Sequence, residues 1–318
     1  MIAVMRVLLA MFTLIVMQAC TSTPTANTSN AHQPKILLVN SNRAIPRYNT
    51  AEEAFTEVLT EALENELLIS INLENDERPT ETLQDILNQH RFSAIYCIGA
   101  KALGSVDYIG PALPVVYSSV LNWRKFQNKP GYFGVTSEVA PAAQLAWFKH
   151  FFPSVKRIGI LYSEDNQALI TDANTSANSL SLTLQPELLH HKSDRKPQIS
   201  RLLNQVDALW VLPDPLILDS EQHTMQLFKL AHTLRKPIFT YNSFFMGFGA
   251  TLSINADLAT TGRQAALLIQ TLHEQGAPTS GVQFPAGSSI SLNLRKVSDN
   301  NLELNIEAFS SVNELLDE

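Results

Sequence analysis

The chain of 318 residues is 45% hydrophobic and 17% charged, with a formal net charge of −7. Those proportions describe a packed globular protein and exclude a disordered one. The acidic balance argues against a nucleic-acid partner, which would call for basic patches.

The first element in the chain is an export segment. Arg6 precedes an apolar run over 7–16, followed by Met17-Gln18-Ala19-Cys20. A run of about 10–12 apolar residues is too short for a bilayer, which needs about 20, and fits a signal-peptide core. Small Ala19 before Cys20 resembles the bacterial lipobox, in which the cysteine is lipidated and becomes the first mature residue, although Met17 stands where leucine is usual. An ordinary cleaved signal with an incidental cysteine is the alternative. With 1–19 as signal peptide, a polar and uncharged tether follows over 20–33. The folded part is then expected in the periplasm, anchored to a membrane through Cys20. Thr21, rather than an aspartate, follows the cysteine, and this pattern resembles lipoproteins sent to the outer membrane.

What remains, roughly 285 residues, exceeds one ordinary core and calls for two lobes. Residues 36–39 form a continuous apolar run, a buried strand. Ala51, Phe55, Val58, Leu59, Ala62 and Leu63 then fall on one helical face. A strand at 67–71 precedes a helix at 80–89, with Leu83, Ile86 and Leu87 inward and Thr80 as its cap. Strands follow at 94–98 and 114–117, the first of them holding Cys97 as a buried, inert thiol. No second cysteine in the mature chain besides Cys20 could pair with it as an intramolecular framework.

The second half repeats the alternation. Pro141 suits a first helical turn, and Leu145, Phe148 and Phe152 line one side of that helix. Strands are expected at 158–162, 183–189, 208–212 and 237–240, with helices between them. Continuous apolar strands separated by helices specify an α/β fold of parallel sheets covered on both faces. Such sheets bind ligands beyond the carboxyl ends of their strands. Two of them joined by crossing segments make a cleft.

Several stretches in order carry a more specific likeness. They are Gly134-Val135-Thr136-Ser137-Glu138-Val139-Ala140-Pro141 with Gln144-Leu145, and Phe152-Pro153-Ser154-Val155-Lys156-Arg157-Ile158-Gly159-Ile160-Leu161-Tyr162. Further on come Asp207-Ala208-Leu209-Trp210-Val211-Leu212-Pro213-Asp214-Pro215, Lys236-Pro237-Ile238-Phe239-Thr240-Tyr241-Asn242-Ser243-Phe244, Gly249-Ala250-Thr251-Leu252-Ser253 and Gly262-Arg263-Gln264-Ala265-Ala266. Together, from about Lys35 to about Leu294, they resemble the ABC-transporter substrate-binding proteins whose characterised members include tryptophan- and tyrosine-binding lipoproteins. The resemblance implies a type I periplasmic-binding-protein fold: two Rossmann-like lobes with parallel sheets, joined by a three-strand hinge. Lobe one would be 34–134 plus 252–281, lobe two 135–251 plus 282–295, and 296–318 a C-terminal extension. The implied function is capture of a small molecule, an amino acid or related solute, for an ABC-type importer.

Candidate ligand residues sit at strand ends: Asn42 and Tyr48 after the first strand, Lys101 after the third, and Ser118 and Ser119 after the fourth. Thr136, Tyr162, Asp214, Tyr241 and Asn242 would converge from the other lobe. An amino acid needs a carboxylate for its ammonium, plus hydroxyls and amides for its carboxylate. Asp214 is expected to hold the ammonium, with Ser118, Ser119 or Thr136 on the carboxylate and tyrosines as aromatic walls. Asp214 lies between Pro213 and Pro215, so shaping a turn is its alternative role. The family pattern Ala-Val-x-Asp-Pro is here Ser118-Ser119-Val120-Leu121-Asn122, and Lys101 replaces a small residue, which leaves the ligand open.

Catalysis is not expected. The sequence has no Gly-x-Ser-x-Gly elbow, His-Glu-x-x-His or Cys-x-x-Cys, and Gly247-Phe248-Gly249 lacks the third glycine of a dinucleotide fingerprint. No cofactor or metal is therefore expected. His190 and His191, read as strand neighbours, would face opposite ways, and His223 and His232 would sit more than two helical turns apart. The rival reading keeps the fold but not the transport: an envelope lipoprotein that senses a solute for a membrane receptor, or scaffolds one.

Overall fold

The structure, a computed structural model, describes residues 35–62, 68–276 and 281–317. The export segment, Cys20 and the tether lie outside the described residues, as do Leu63 and Leu67. The first half runs β1 (Lys35–Asn40), α1 (Pro46–Ala62), β2 (Leu68–Asn72), α2 (Pro79–Gln89), β3 (Phe92–Ile98), α3 (Ala100–Ile109), β4 (Val115–Ser118) and β5 (Tyr132–Val135). Then come α4 (Pro141–Phe151), β6 (Arg157–Tyr162), α5 (Gln167–Ser179), β7 (Thr183–Leu188), α6 (Arg195–Leu203), β8 (Ala208–Trp210), α7 (Glu221–Thr233), β9 (Ile238–Thr240) and β10 (Leu252–Ala256). The chain ends with α8 (Leu258–Gln275), β11 (Val282–Gln283), β12 (Ser288–Asn293), α9 (Leu294–Asp299) and β13 (Glu314–Leu316).

Two sheets result, one of six strands in the order β11-β5-β4-β3-β1-β2 and one of seven in the order β13-β12-β10-β9-β8-β6-β7. Every pairing is parallel except β10 with β12. The apolar runs follow from this layering. Ile36 and Leu38 pack on one face of the first sheet with Phe55 and Leu59, while Leu37 and Val39 pack on the other with Leu83 and Leu103. A strand covered on both faces has no polar side to display. β2, at the sheet edge, is only half-buried.

Helix α1 buries Ala51, Phe55 and Leu59, as their spacing predicts. It packs on α8 through Gly262, where a Cβ would come within 2.2 Å of the Ala51 carbonyl oxygen. The Gly262-Arg263-Gln264 stretch is thus a close-approach site between two helix backbones. Thr80 does not cap α2. Arg78 is the cap residue and Pro79 opens the helix, because proline's fixed φ and missing N–H suit the first helical position.

Three expectations about the division of the chain need correction. Leu252–Ala256, expected in the first lobe, is β10 of the second sheet, held by β9 on one side and β12 on the other. Val282–Gln283, expected in the second, is β11 and pairs with Gly134 and Val135 in the first sheet. Residues 296–318 are not an appendage: Ala308 is fully buried in the second half's core, and β13 extends its sheet. The chain passes between the sheets near 136–140, at Asp257 and near 284–287, and the first two passages touch through an isolated Glu138–Asn255 bridge.

Candidate ligand cleft

A cavity of about 120 Å³ lies where the two sheets meet at the carboxyl ends of their strands. From the first half it is lined by Arg47 in the opening turn of α1, by Ser119 and Leu121 after β4, and by Leu258 and Thr261 at the start of α8. Thr136 and Ser137 of the first passage, Asn242 and Ser243 after β9, and Asn255 and Ala256 at the end of β10 complete it. Wider hollows of about 660 and 450 Å³ flank α7, and one of about 600 Å³ opens beyond β6, β7 and β8, but each draws on the second half alone. Only groups from both sheets can clamp a guest between them, so the smaller cavity is the candidate site.

Of the residues expected to bind, Ser119, Thr136 and Asn242 line this cavity. Ser119 has φ 58°, the left-handed region unfavourable to a residue with a Cβ, and its buried hydroxyl has no hydrogen-bond partner among the described residues. Thr136 is already engaged, its hydroxyl donating to the Glu138 carbonyl at 2.7 Å. Asn242 accepts from the Phe244 amide at 2.9 Å and so caps the short helical turn after β9. Tyr241 is buried against Phe245, with ring centroids 5.5 Å apart. Burial first, then the nearby Glu138 charge, push its phenol well above the ordinary value, with Arg47 opposing.

The other expected residues turn away. Ser118 is fully buried and bonds the Tyr96 hydroxyl at 2.7 Å. Asn42 shapes its own turn, accepting from the Ala44 amide at 2.8 Å. Tyr48 packs in the first half's core beneath the Arg47 guanidinium, 5.2 Å from its ring centroid. Tyr162 is buried and donates to Gln167 at 3.1 Å. Lys101 does not enter the cleft; it is exposed, and its ammonium donates to the carbonyls of Leu73 and Asp76 and so ties down the turn after β2.

Asp214 requires the largest revision. Its carboxylate is buried and accepts from the Ser163 amide at 2.7 Å, the Ser163 hydroxyl at 2.8 Å, the Asn166 amide group at 2.8 Å and the Leu216 amide at 2.9 Å. Held by four neutral donors, it pins the loop after β6 to the loop after β8 and lies buried outside the cavity lining, out of reach of an ammonium there. The turn-shaping role is the one the geometry supports.

Two features of the cleft were not anticipated. Among the described residues Arg47 supplies its one charged lining group, placed there because Pro46 starts α1 after the short loop 41–45 that follows the first strand. Glu138, 1% exposed, locks the passage between the sheets: it accepts from Trp123 Nε1 at 2.9 and 3.0 Å, from Arg124 at 2.8 Å and from the Ser137 hydroxyl at 2.7 Å. Trp123 also meets Phe284 of the third passage edge-on, with centroids 6.4 Å apart. A glutamate following Thr136 and Ser137 carries no sequence signal of burial, so only the fold reveals it.

His190 and His191 sit in an exposed loop after β7 rather than on a strand, and no cluster of three or more metal-ligating residues occurs among the described residues. No described helix is long and apolar enough to cross a membrane. Cys97 is fully buried, and burial pushes its thiol up, as an inert core cysteine requires.

Comparison with known proteins now places the chain. No curated protein matches its sequence. Among solved structures it is similar to a substrate-binding protein with adhesive properties from Clostridium difficile, solved ligand-free and open, at 16% identity and TM-score 0.66, covering 90% of this chain and 99% of that one. It is also similar to an ABC domain from Streptococcus pneumonia solved with L-Trp, at 18% identity and TM-score 0.59, covering 90% of this chain and 100% of that one. A conserved domain protein from Vibrio cholerae follows at 15% identity and TM-score 0.58, covering 89% and 100%. These likenesses speak to the fold, that of type I periplasmic binding proteins. The profile of the ABC transporter substrate binding protein family matches residues 48–312, and the chain belongs to that family.

Proposed function

We propose that the protein captures a small solute, an amino acid or a related carboxylate, in the cleft between its two sheets and delivers it to an ABC-type permease. The observation that carries this reading is the cavity itself. It lies at the carboxyl ends of strands from both sheets and holds a hydroxyl and a guanidinium that, among the described residues, have no hydrogen-bond or ion-pair partner. Groups left without partners at such a junction are what a guest would satisfy. The narrow volume further supports a small solute.

The reading extends to where the protein works: a periplasmic lipoprotein, exported by residues 1–19 and anchored through Cys20, with the outer membrane as its site. Nothing in the reading calls for catalysis.

Thermal unfolding in the presence of amino acids and small carboxylates tests solute capture. A ligand at 100 times its dissociation constant is expected to add about 2.7 kcal/mol. Absence of any stabilisation across both classes would overturn it. Delivery is tested by solute-dependent stimulation of the ATPase of a reconstituted permease, and anchoring by fatty-acid labelling that Cys20→Ala should abolish.

A further inference from the structure

We infer that the guest is a small carboxylate anion without an ammonium group, its charge held by Arg47; this deepens the solute-binding reading and rests on it. The charge census of the cavity leads there. Arg47 is the sole charged side chain in its lining, is solvent-exposed and forms no ion pair among the described residues. Its guanidinium lies over the Tyr48 ring, 5.2 Å from the centroid, a stacking that steadies the planar fork without using its N–H donors. A carboxylate is the group that fork matches.

The remaining lining is uncharged. The 18-residue helix α8 begins at the cavity, with Leu258 and Thr261 in the wall and Asp257 capping its first turn. Ser119 offers a hydroxyl donor with no partner among the described residues. Asn242 and Ser243 stand across from the first half as further polar groups.

An ammonium finds no counterpart. Asp214 is held by four neutral donors away from the cavity. Glu138 is saturated by Trp123, Arg124 and Ser137. Asp257 is not part of the cavity lining; its Oδ1 caps α8, accepting from the Thr260 amide at 2.6 Å, with the Arg263 guanidinium 4.0 Å away. A zwitterion would therefore bury its positive end against Arg47 with no carboxylate to offset the loss of water.

Lactate and alanine give a direct test, being nearly isosteric and differing in hydroxyl against ammonium. Affinities of the purified protein for acetate, lactate, pyruvate, alanine and tryptophan would be measured by calorimetry and thermal shift. Lactate or pyruvate is expected to bind at least tenfold more tightly than alanine, and tryptophan not at all. Arg47→Gln should weaken the carboxylate at least tenfold while its ligand-free melting temperature stays at the wild-type value, and Arg47→Lys should recover part of the loss. Alanine binding as tightly as lactate, tryptophan binding, or an Arg47→Gln protein with unchanged affinity would each overturn the assignment and leave the solute-binding reading standing. A protein that responds to none of the five solutes would overturn both.

Discussion

Asp214 and Arg47 are both charged residues beyond the carboxyl end of a strand, yet the two regions have opposite characters. Around Asp214 the protein itself supplies four neutral donors to the carboxylate, joining two loops into one rigid corner. Around Arg47 and Ser119 a guanidinium and a buried hydroxyl are left without hydrogen-bond partners among the described residues, and Ser119 is held in a strained backbone conformation. A polar group at a strand end thus reads as binding machinery only when its bonding capacity remains open.

Glu138 gives the largest test of this contrast, because it borders the cleft but is internally satisfied. Glu138→Ala leaves Arg124 and the Trp123 N–H without their acceptor, and urea unfolding should show a loss of about 3 kcal/mol or more. Glu138→Gln should cost less, since the amide oxygen can still accept from Trp123.

Asp214→Ala comes next. Removing an acceptor shared by buried donors should lower stability by about 2 kcal/mol while solute affinity, measured at a temperature where the variant is folded, stays unchanged. A clear loss of affinity in a folded Asp214→Ala protein would erase the distinction drawn here. Ser119→Gly should give the reverse: glycine relieves the left-handed φ, raising stability by up to about 1 kcal/mol, and the loss of the hydroxyl weakens binding.

A smaller effect is expected from acid. Glu52 ties α1 to the first two strands, accepting from Asn40 at 2.7 Å, Ser70 at 2.7 Å and the Arg43 guanidinium. Burial alone would raise its carboxyl, but the hydrogen bonds from Arg43, Ser70 and Asn40 outweigh it and hold the group below its usual range. Because the folded-state value is depressed, the contribution is intact above the unfolded value of about 4.3 and fades as pH falls through the lowered one. The urea midpoint should therefore drop between pH 5 and pH 3, and Glu52→Gln should flatten that slope. Least of all should be seen with Cys97, whose thiol should resist modification in the native protein and react once it is unfolded.

Much of the scaffold was legible because burial on two faces writes an unmistakable record. Ile36-Leu37-Leu38-Val39 and Ile158-Gly159-Ile160-Leu161 have no polar side, and parallel sheets follow. Sheet membership at the crossings was not legible: β10 and β11 are short, and pairing with distant strands decides which sheet each one joins. The site was read in part. Ser119 and Asn242 follow from the strand-end rule, but nothing near Asp214 in sequence announces that Ser163 and Asn166, 51 and 48 positions earlier, fold onto it. The strand-end rule points to Tyr48, yet its neighbour Arg47 faces the cleft, a difference of one position that rotates a helical side chain by about 100°.

The seam at Gly262 has a mechanical consequence. With α8 seated directly on the backbone of α1, Arg47 and the leading turn of α8 form a single jaw rather than two independent fingers. Whatever tilts one helix carries the other with it, so a guest would meet the guanidinium and the helix end in the same stroke. A bulkier residue at 262 would wedge that jaw apart and blunt its grip without altering any group that touches the guest.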